Sequence, residues 1–286
     1  MGLAGTYVRR GPARLHSENR NMNLSRTRLS QTRKENELRR YYRALYQAWG
    51  RQHWWPADTA FEVIVGAYLT QNTAWTNVER ALTNLRAAEA LSVAGIRGIR
   101  LARLERLIRP SGYFRQNAKR LKTFVAFLDR KYDGSLEKLF SQPTANLRDE
   151  LLGLNGVGPE TADSILLYAG NHPVFVVDAY TRRVLERHGI LPEKTDYEDI
   201  RELFERALSP IAHEQQERPA DLAPQVESGV RGTAHPPSAM SKAERTAIVQ
   251  VYDEMHGLIV GVGKYYCKKS RAECEGCPLR PFLPSR

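Results

Sequence analysis

The sequence predicts an all-α protein, and three observations support that fold class. Apolar residues recur at steps of three and four along most of the chain, which is the period of one helix face. No segment shows the sustained alternation of apolar and polar residues that predicts a β-hairpin. Proline and glycine fall where the periodic segments end. At 286 residues, the chain can form one large or two modest domains around a sizeable core.

Charge and hydropathy narrow the class of partner. The chain has a formal net charge of +11, which favours association with a polyanion. Residues 1–34 hold eight Arg or Lys against the single acid Glu18, a net of +7, and show little periodicity. We expect them to form a disordered basic arm. Because no run of about 18 apolar residues occurs and the amino end lacks an apolar core, we expect neither a membrane span nor a secretory signal.

The first helix is predicted from about Glu35 to Trp49, where large apolar side chains keep helical spacing. A break follows at Pro56. Thr59, with Glu62 three residues later, is a capping-box pattern for the next helix. The apolar stripe of that helix, which we expect to be buried, consists of Phe61, Ile64, Val65, Tyr68 and Leu69.

Amphipathic spacing predicts further helices along the rest of the chain. They lie at about 77–90, 101–108, 114–128, 147–154, 162–169, 179–188, 196–208 and 244–259. On the helix at 114–128, we interpret the outward charges as a solvated face; they are Arg115, Lys119, Arg120 and Lys122. Residues 213–241 shift in composition to Pro, His, Gln, Ser and Gly, which predicts a flexible surface insertion.

The most informative stretch of the sequence runs from Leu154 to Asp178. Gly156 and Gly158 flank one valine between two helical segments, which predicts a tight hairpin. Pro159 suits the first position of the second helix, because its φ is fixed and its missing N–H is not needed there. Such a hairpin presents backbone N–H groups beside a helix N-terminus, and in a basic chain the expected anion is a nucleic-acid phosphate. A glycine-rich turn with no ligand is the alternative.

The motif Leu-Asn-Gly-Val-Gly-Pro-Glu-Thr-Ala, followed by Val-Val-Asp-Ala-Tyr, resembles the helix-hairpin-helix (HhH-GPD) DNA glycosylase superfamily in its endonuclease III-like branch. The resemblance runs from about Trp54 to Cys277. It implies a two-lobed all-α fold in which residues 54–172 form a helical barrel that carries the hairpin. Residues 35–53 and 173–286 would form the second lobe, with a C-terminal cysteine loop. Double-stranded DNA is the partner that the resemblance implies.

Asp178 is the residue that we expect to be essential. It follows a short apolar run and opens a helix, so an N-cap role is expected from its position alone. The resemblance implies that it is also the catalytic aspartate. Cleavage of an N-glycosidic bond builds positive charge on the sugar, which a fixed carboxylate stabilises while it orients or deprotonates a water.

Glu160 departs from the pattern of the superfamily. In members of the branch that also cut the strand, the resemblance implies a lysine at this position, eighteen residues before the aspartate. A carboxylate cannot form the Schiff base that an amine forms with the sugar carbon. The sequence therefore predicts a monofunctional, water-using glycosylase that leaves an abasic site.

The resemblance also implies which residues contact DNA. Gln71 would enter the duplex to fill the space left by an extruded base, with a plain polar helix cap as the alternative. The expected DNA-contacting set is Gln71, Asn72, Asn155, Gly156, Val157, Gly158 and Thr161. The Asp-Ala-Tyr form around Asp178 looks closer to the 3-methyladenine glycosylases of the branch. The candidates to stack on a flipped base, unless they pack in the core, are Trp54, Trp55 and Tyr180.

The three cysteines of the chain lie near its end, as Cys267-x6-Cys274-x2-Cys277. Such clustering favours metal ligation over disulfides. The spacing matches the iron–sulfur (4Fe-4S) loop of the family, but the fourth cysteine would fall at Leu283. We expect an iron–sulfur cluster as the cofactor. The outcomes left open are a cluster with another fourth ligand, a three-iron cluster, a vacant loop, and a zinc site that adds His256.

The sequence thus predicts a DNA repair N-glycosylase that flips out and excises a damaged base. The alternatives are a glycosylase and abasic-site lyase that uses another amine, and a non-catalytic hairpin protein that only binds DNA. We expect a monomer in the cytoplasm, at the nucleoid if the source is bacterial. The motifs do not specify the lesion, because pocket selectivity depends on residues that the fold brings together.

Overall fold

The computed structural model describes residues 12–71, 73–216 and 235–284, with the side chains of 29–71, 73–214 and 235–284. Over these ranges the protein is helical, and β pairing is limited to an isolated bridge between Cys267 and Ala272. The all-α prediction is therefore confirmed for the described residues. Within the same ranges, no helix is both long and apolar enough to cross a membrane.

The amino-terminal part is a series of helices joined by short turns. In chain order they are α1 (Pro12–Trp49), α2 (Ala60–Leu69), α3 (Trp75–Ala87), α4 (Val93–Gly98), α5 (Leu101–Leu107), a 3₁₀ turn (Arg109–Ser111), α6 (Phe114–Tyr132), α7 (Leu136–Phe140) and α8 (Thr144–Leu152). The sequence pattern did not predict α4 and α7, because five or six residues are too few to show a period. Each begins at a serine N-cap, Ser92 and Ser135 respectively.

The carboxyl-terminal part continues the same architecture. Its elements are α9 (Pro159–Ser164), a π-helical extension of α9 (Ile165–Ala169), α10 (Ala179–Arg187), α11 (Tyr197–Gln216), α12 (Ala239–Lys242), α13 (Ala247–Tyr265) and a 3₁₀ turn (Arg280–Phe282). The helix α13 packs against α10, α11 and α1, and also touches the π-helical extension of α9. It therefore connects the carboxyl-terminal helices to the helix that follows the glycine hairpin. The division into lobes at residues 54 and 172 stays a prediction.

The helix α2 lies in the core of the amino-terminal part. All of its residues except the first are buried, which the predicted apolar stripe requires. The Thr59 hydroxyl accepts a hydrogen bond from the Glu62 N–H at 3.1 Å, so the predicted N-cap is confirmed. Glu62 does not complete a capping box with Thr59. Its carboxylate accepts from the Asp58 N–H at 3.1 Å and pairs with Arg86.

The helix-hairpin-helix element is confirmed. The helix α8 ends at Leu152, and α9 begins at Pro159 in the first helical position. Between them, Gly156 has φ +80°, a left-handed conformation that L residues with a side chain rarely adopt. Val157 is buried and anchors the turn, while Gly158 is exposed and is the N-cap residue of α9.

The structure corrects the prediction of a disordered arm over residues 1–34. The helix α1 begins at Pro12, so the backbone of 12–34 is helical, while 1–11 lie outside the described residues. Residues 13–34 contain neither glycine nor proline. Once the apolar segment from Glu35 is packed, each residue added in front of it gains a hydrogen bond without a new nucleation cost.

The prediction of a flexible insertion at 213–241 is also wrong at both ends. The helix α11 continues to Gln216, and residues 217–234 lie outside the described residues. Residues from 235 onward pack on the protein: the N–H of His235 donates to the Gln52 carbonyl at 3.3 Å, and that of Met240 to the Ala57 carbonyl at 3.0 Å. A reciprocal cap between Ser238 and Ser241 starts α12.

Candidate active site

Asp178 is reached by an extended, buried run, Val174–Val177. Because no strand among the described residues lies beside this run, side chains satisfy its backbone. The N–H of Phe175 donates to Glu205 at 3.0 Å, and that of Val177 to the Tyr197 hydroxyl at 3.2 Å. These bonds fix the path of the chain immediately before Asp178.

The carboxylate of Asp178 is the N-cap of α10, as predicted. Its Oδ1 accepts hydrogen bonds from the Thr181 N–H at 2.7 Å and from the Thr181 hydroxyl at 2.9 Å. The side chain remains 12% exposed. One oxygen is thus held by the helix terminus, and the other is free for a second partner.

That second partner is His256 on α13. Its Nε2 lies 3.6 Å from Asp178 Oδ2, and its Nδ1 lies 2.6 Å from the Tyr168 hydroxyl. Burial alone would raise the pKa of Asp178, but His256 and the Thr181 hydrogen bonds outweigh it and hold that pKa below the ordinary value. Asp178 is therefore ionised at neutral pH.

Glu160 belongs to the same site. It is exposed to solvent, yet protein atoms surround it closely enough to raise its pKa to about 7, and the negative charge of Asp178 adds to that increase. His256 and Arg182 act in the opposite direction. The fold therefore brings within electrostatic range two carboxyl groups that are eighteen residues apart in sequence.

Gln71 is held on the glycine hairpin. Its Nε2 donates to the Gly156 carbonyl at 3.1 Å and to the Thr161 hydroxyl at 3.0 Å, and its Oε1 accepts from Arg120 at 2.7 Å. The structure brings Gln71 together with two members of the predicted DNA-contacting set. Its insertion into a duplex stays a prediction, and Asn72 lies outside the described residues.

Arg120 corrects the interpretation of the basic face on α6. It is half-buried and covers the left-handed residue of the hairpin, so a methyl group added to Gly156 would overlap its guanidinium. The exposed neighbours Arg115 and Lys119 fit the predicted solvated face. Arg120 differs because Gln71 and Gly156 lie beside it, on segments distant in sequence.

The rest of the hairpin presents backbone towards solvent. Asn155 and Gly158 are exposed, while Val157 and Thr161 are buried. Among the residues that the structure describes, no side chain caps the N-terminus of α9, and Glu160 lies in its first turn. The predicted phosphate contact is therefore compatible with the backbone of residues 155–160. Val157 supports the hairpin from inside, and Thr161 is bound by Gln71.

The three candidate stacking residues differ in their surroundings. Trp55 is buried, with its ring 5.1 Å from that of Trp75 and 5.2 Å from that of Tyr168, so it packs in the core, and its stacking on a flipped base stays a prediction. Tyr180 is half-buried, and the Arg183 guanidinium covers its ring at 5.0 Å. Trp54 is half-buried, and its ring lies 6.0 Å from that of His256. Trp54 therefore borders the Asp178 site through His256.

Two residues of this site were not predicted from the sequence. Tyr168 was not a candidate, and His256 was considered only as a zinc ligand. They are 88 residues apart, and each lies on a helix whose apolar period marks it as core. The available signal was a histidine in the mostly apolar helix α13, which also buries Asp253 and Glu254. Buried polar groups need partners, which predicts a second polar residue but not its identity.

The described residues do not confirm an iron–sulfur cluster at the cysteine loop. Within the described residues, no group of three or more His, Cys, Asp and Glu side chains is arranged to hold a metal ion, and this includes the three cysteines. Cys267 is buried and its Sγ lies 3.5 Å from the Arg187 guanidinium, while Cys274 and Cys277 are half-buried. His256 faces Asp178 and Tyr168, so it does not complete a zinc site.

Arginines of α10 hold this loop instead. Arg183 donates to the carbonyls of Gly263 and Cys267 at 3.2 and 2.6 Å. Arg187 donates to those of Lys268 and Lys269 at 2.8 and 3.2 Å. The helix that begins at Asp178 therefore also fixes the start of the cysteine loop.

Comparison with known proteins agrees with this geometry. The description "HhH-GPD superfamily base excision DNA repair protein" matches residues 65–210, a span that contains the hairpin and Asp178. A protein of Methanocaldococcus jannaschii, described as a candidate DNA repair glycosylase, is 40% identical over 258 residues. These residues are 88% of this chain and 100% of that protein.

Two solved structures are similar along most of their length. The 3-methyladenine DNA glycosylase MagIII of H. pylori, bound to 1,N6-ethenoadenine, has a TM-score of 0.62 and 29% identity, and the likeness covers 80% of this chain and 97% of MagIII. A trapped endonuclease III–DNA covalent intermediate has a TM-score of 0.61 and 20% identity, over 86% of this chain and 93% of that one. The second likeness supports the fold.

Proposed function

The chain belongs to the HhH-GPD superfamily of base excision DNA repair proteins, and we propose that it is a monofunctional DNA N-glycosylase. It binds double-stranded DNA, extrudes a damaged base and removes it by hydrolysis, which leaves an abasic site. The similarity to DNA repair glycosylases along most of the chain supports this class of enzyme.

The single observation that carries the proposal is the environment of the Asp178 carboxylate. Its pKa is held below the ordinary value, one oxygen is fixed by Thr181, and the side chain remains 12% exposed. A fixed negative charge that a sugar can approach is what a developing oxocarbenium ion requires. The arrangement lowers the barrier without reorganisation during the reaction.

Glu160 supports the hydrolytic route. Because its pKa is about 7, this carboxyl group exchanges a proton readily near neutral pH. In the proposed reaction, the bond between the sugar C1′ and the base breaks, a water attacks C1′, and Glu160 accepts a proton from that water. The bonding electrons leave with the base. A carboxylate in this position does not provide the amine that a lyase reaction through a Schiff base needs.

Alkylated purines are the substrate class that we propose. The likeness to a 3-methyladenine glycosylase at 29% identity supports this choice. Many alkylated purines carry a positive charge, which favours a site with an aromatic face and two carboxyl groups. Trp54 offers the face, next to His256 and hence next to Asp178.

Binding to DNA is proposed to use the hairpin backbone and Gln71. The hairpin contacts phosphate through main-chain N–H groups, independently of sequence. Gln71 leaves the hairpin and fills the gap in the duplex as the base is extruded. We propose that the protein acts as a monomer in the cytoplasm, at the nucleoid in a bacterial cell.

The test is a panel of duplexes, each with one lesion, incubated with the protein in the presence and absence of sodium borohydride. The proposal predicts release of a free alkylated purine, an abasic product, and no covalent adduct after reduction. A borohydride-trapped adduct would refute the monofunctional assignment. DNA binding without base release on any lesion would instead support a non-catalytic binding protein.

A further inference from the structure

We propose that His256 is a positioning residue for Asp178. It directs its Nε2–H towards the Oδ2 of Asp178, while Tyr168 holds the opposite edge of the ring. The inference deepens the proposed function and rests on it, since it concerns how the reactive carboxylate is held. His256 itself does not touch the substrate in this account.

The two oxygens of Asp178 have separate partners. Oδ1 is bound by Thr181 at the start of α10, and Oδ2 lies 3.6 Å from His256 Nε2. That separation exceeds the usual length of a hydrogen bond. A shift of a few tenths of an ångström in either side chain would complete the hydrogen bond. His256 therefore restricts the rotation that the Thr181 bonds alone leave open.

The Tyr168 hydroxyl determines which imidazole nitrogen carries the proton. Complete burial raises the pKa of Tyr168 well above its ordinary value, so the hydroxyl keeps its proton. A buried hydroxyl needs an acceptor, and His256 Nδ1 lies 2.6 Å away. If Nδ1 accepts this proton, the ring proton is on Nε2, the nitrogen that faces Asp178.

The ring of His256 has little freedom to turn away. His256 is 4% exposed, and three aromatic rings surround it. The centre of its ring lies 6.0 Å from that of Trp54, 5.9 Å from that of Tyr168 and 6.4 Å from that of Phe175. The next residue on α13, Gly257, packs directly under Trp54. A ring flip would break the Tyr168 bond inside a packed core, so one orientation is maintained.

Other titratable and charged groups face this arrangement. The negative charge of Asp178 raises the pKa of Glu160 on α9, and the positive charge of Arg182 on α10 lowers it. Asp253 from α13 and Arg245 act on Tyr168 with opposite signs. Among the groups that act on Asp178, however, His256 has the largest lowering effect on its pKa.

The consequence for the reaction is preorganisation. A carboxylate with both oxygens held needs no reorientation when positive charge develops on the sugar. The N–H of His256 also favours the ionised form of Asp178, which is the form that stabilises that charge. Without His256, Asp178 would accept a proton at a higher pH and would rotate about the Thr181 bonds.

The experiment compares His256→Ala, His256→Gln and Tyr168→Phe with the wild type, through single-turnover base excision as a function of pH. We expect His256→Ala to slow excision at pH 7 by about ten- to a hundredfold, the effect of losing a hydrogen bond to a charged group. Its acid limb, measured in the Glu160→Gln background so that Glu160 does not contribute to the profile, should move to higher pH as Asp178 becomes easier to protonate. His256→Gln keeps an amide N–H within reach of Asp178 and should restore most of the rate. The excision rate of Tyr168→Phe should lie between those of His256→Ala and His256→Gln.

The chain offers a matched control in His188. It is also buried, and its Nδ1 lies 2.8 Å from the hydroxyl of a buried tyrosine, Tyr41. It follows the last residue of α10, about 13 Å from the Asp178 end of the same helix. His188→Ala should lower the melting temperature to a similar extent as His256→Ala, and should leave the acid limb of excision in place.

Two outcomes would overturn the inference. The first is an acid limb that stays in place when His256→Ala is made in the Glu160→Gln background. The second is an equal displacement in His188→Ala, which would indicate a general effect of lost stability. If the wild type releases no base from any lesion, the proposed function fails, and the Asp178 carboxyl pKa is measured by ¹³C NMR on DNA-free protein. A pKa that rises in His256→Ala alone supports the positioning role, and an unchanged pKa contradicts it.

Discussion

At the scale of single residues, Asp178 and Glu160 are carboxyl groups whose pKa values move in opposite directions. The surrounding protein atoms raise the pKa of both, but Asp178 has His256 and two hydrogen bonds from Thr181 to offset this effect. The surrounding protein atoms and the charge of Asp178 together raise the pKa of Glu160 to about 7. A pair of this kind can divide the chemistry, with one group permanently charged and the other exchanging a proton.

This division predicts the pH dependence of excision. The rate should rise through pH 7, because Glu160 becomes ionised there and can then accept a proton from water. In Glu160→Gln that inflection should disappear and the remaining rate should be lower by about 10²-fold, within the usual range for loss of acid–base catalysis. The measurement is single-turnover excision from pH 5 to 9.

The control for this profile is Glu186→Gln, which changes an exposed carboxylate on α10. Its pH profile should match that of the wild type. An inflection near pH 7 that persists in Glu160→Gln would assign the titration to another group and would remove Glu160 from the proposed reaction.

At the scale of elements, the glycine hairpin and α6 form one unit. Arg120 covers Gly156, and Gln71 bridges the hairpin to the end of α2. In Gly156→Ala, the left-handed φ of +80° costs about 1–2 kcal/mol and the methyl group displaces Arg120. We expect reduced stability and weaker DNA binding, measured by thermal unfolding and by titration of a labelled duplex.

Gly189→Ala is the matched control for the hairpin. Its φ is +67°, so it carries a similar backbone cost, but an added methyl group would lie in open space. It should lose comparable stability and bind DNA as the wild type does. Equal loss of DNA affinity in both variants would indicate that the hairpin has no specific part in binding.

The contacts that hold the cysteine loop to α10 can also be tested. Because Arg187 bonds two of its carbonyls, Arg187→Ala should lower the free energy of unfolding by about 1–2 kcal/mol, while a metal chelator should leave the melting temperature unchanged. Arg271→Ala, which removes only an exposed partner of Glu273, should have little effect. Stoichiometric iron in the purified protein, lost together with stability on chelation, would contradict this account of the loop.

At the scale of the whole molecule, α13 contains buried acids that couple stability to pH. Burial raises the pKa of Glu254 to about 7, against hydrogen bonds and charges that lower it, including Arg51. A carboxyl group with a raised pKa stabilises the fold fully below its unfolded value of 4.5, and that contribution is lost as pH rises through 7. The loss is on the order of 3 kcal/mol.

Thermal or urea unfolding between pH 4.5 and 8 tests this coupling. The stability of the wild type should fall with rising pH across that window more steeply than that of Glu254→Gln. Glu273→Gln, a change at a surface carboxylate paired with Lys268, should keep the wild-type slope. Equal slopes in all three proteins would show that Glu254 does not titrate as described.

Local rules account for what the sequence predicted correctly. Spacing, caps and turn residues identified α2, the hairpin and the N-cap role of Asp178, because each depends on neighbours within a few residues. The partners of those elements were not predictable in the same way. Arg120 lies 49 residues from Gln71 along the chain, and His256 lies far from Asp178 in sequence. No local period encodes such pairs.

The errors have the same origin. Composition alone suggested disorder before Glu35, yet the packed helix behind it extends to Pro12. The sequence around Trp54 and Trp55 does not indicate which of the two faces the core, and the fold buries Trp55. The cysteine spacing predicts an iron–sulfur cluster, which the described residues do not confirm and which stays a prediction.

The most direct test of the central claim is the rate of free-base release from an alkylated duplex by the wild type and by Asp178→Asn, measured side by side. Asparagine preserves an N-cap, so the fold and DNA affinity should be retained. The account predicts a rate at least about 10³-fold lower for Asp178→Asn, because the charge that stabilises the sugar cation is gone. Equal rates for the two proteins would contradict it.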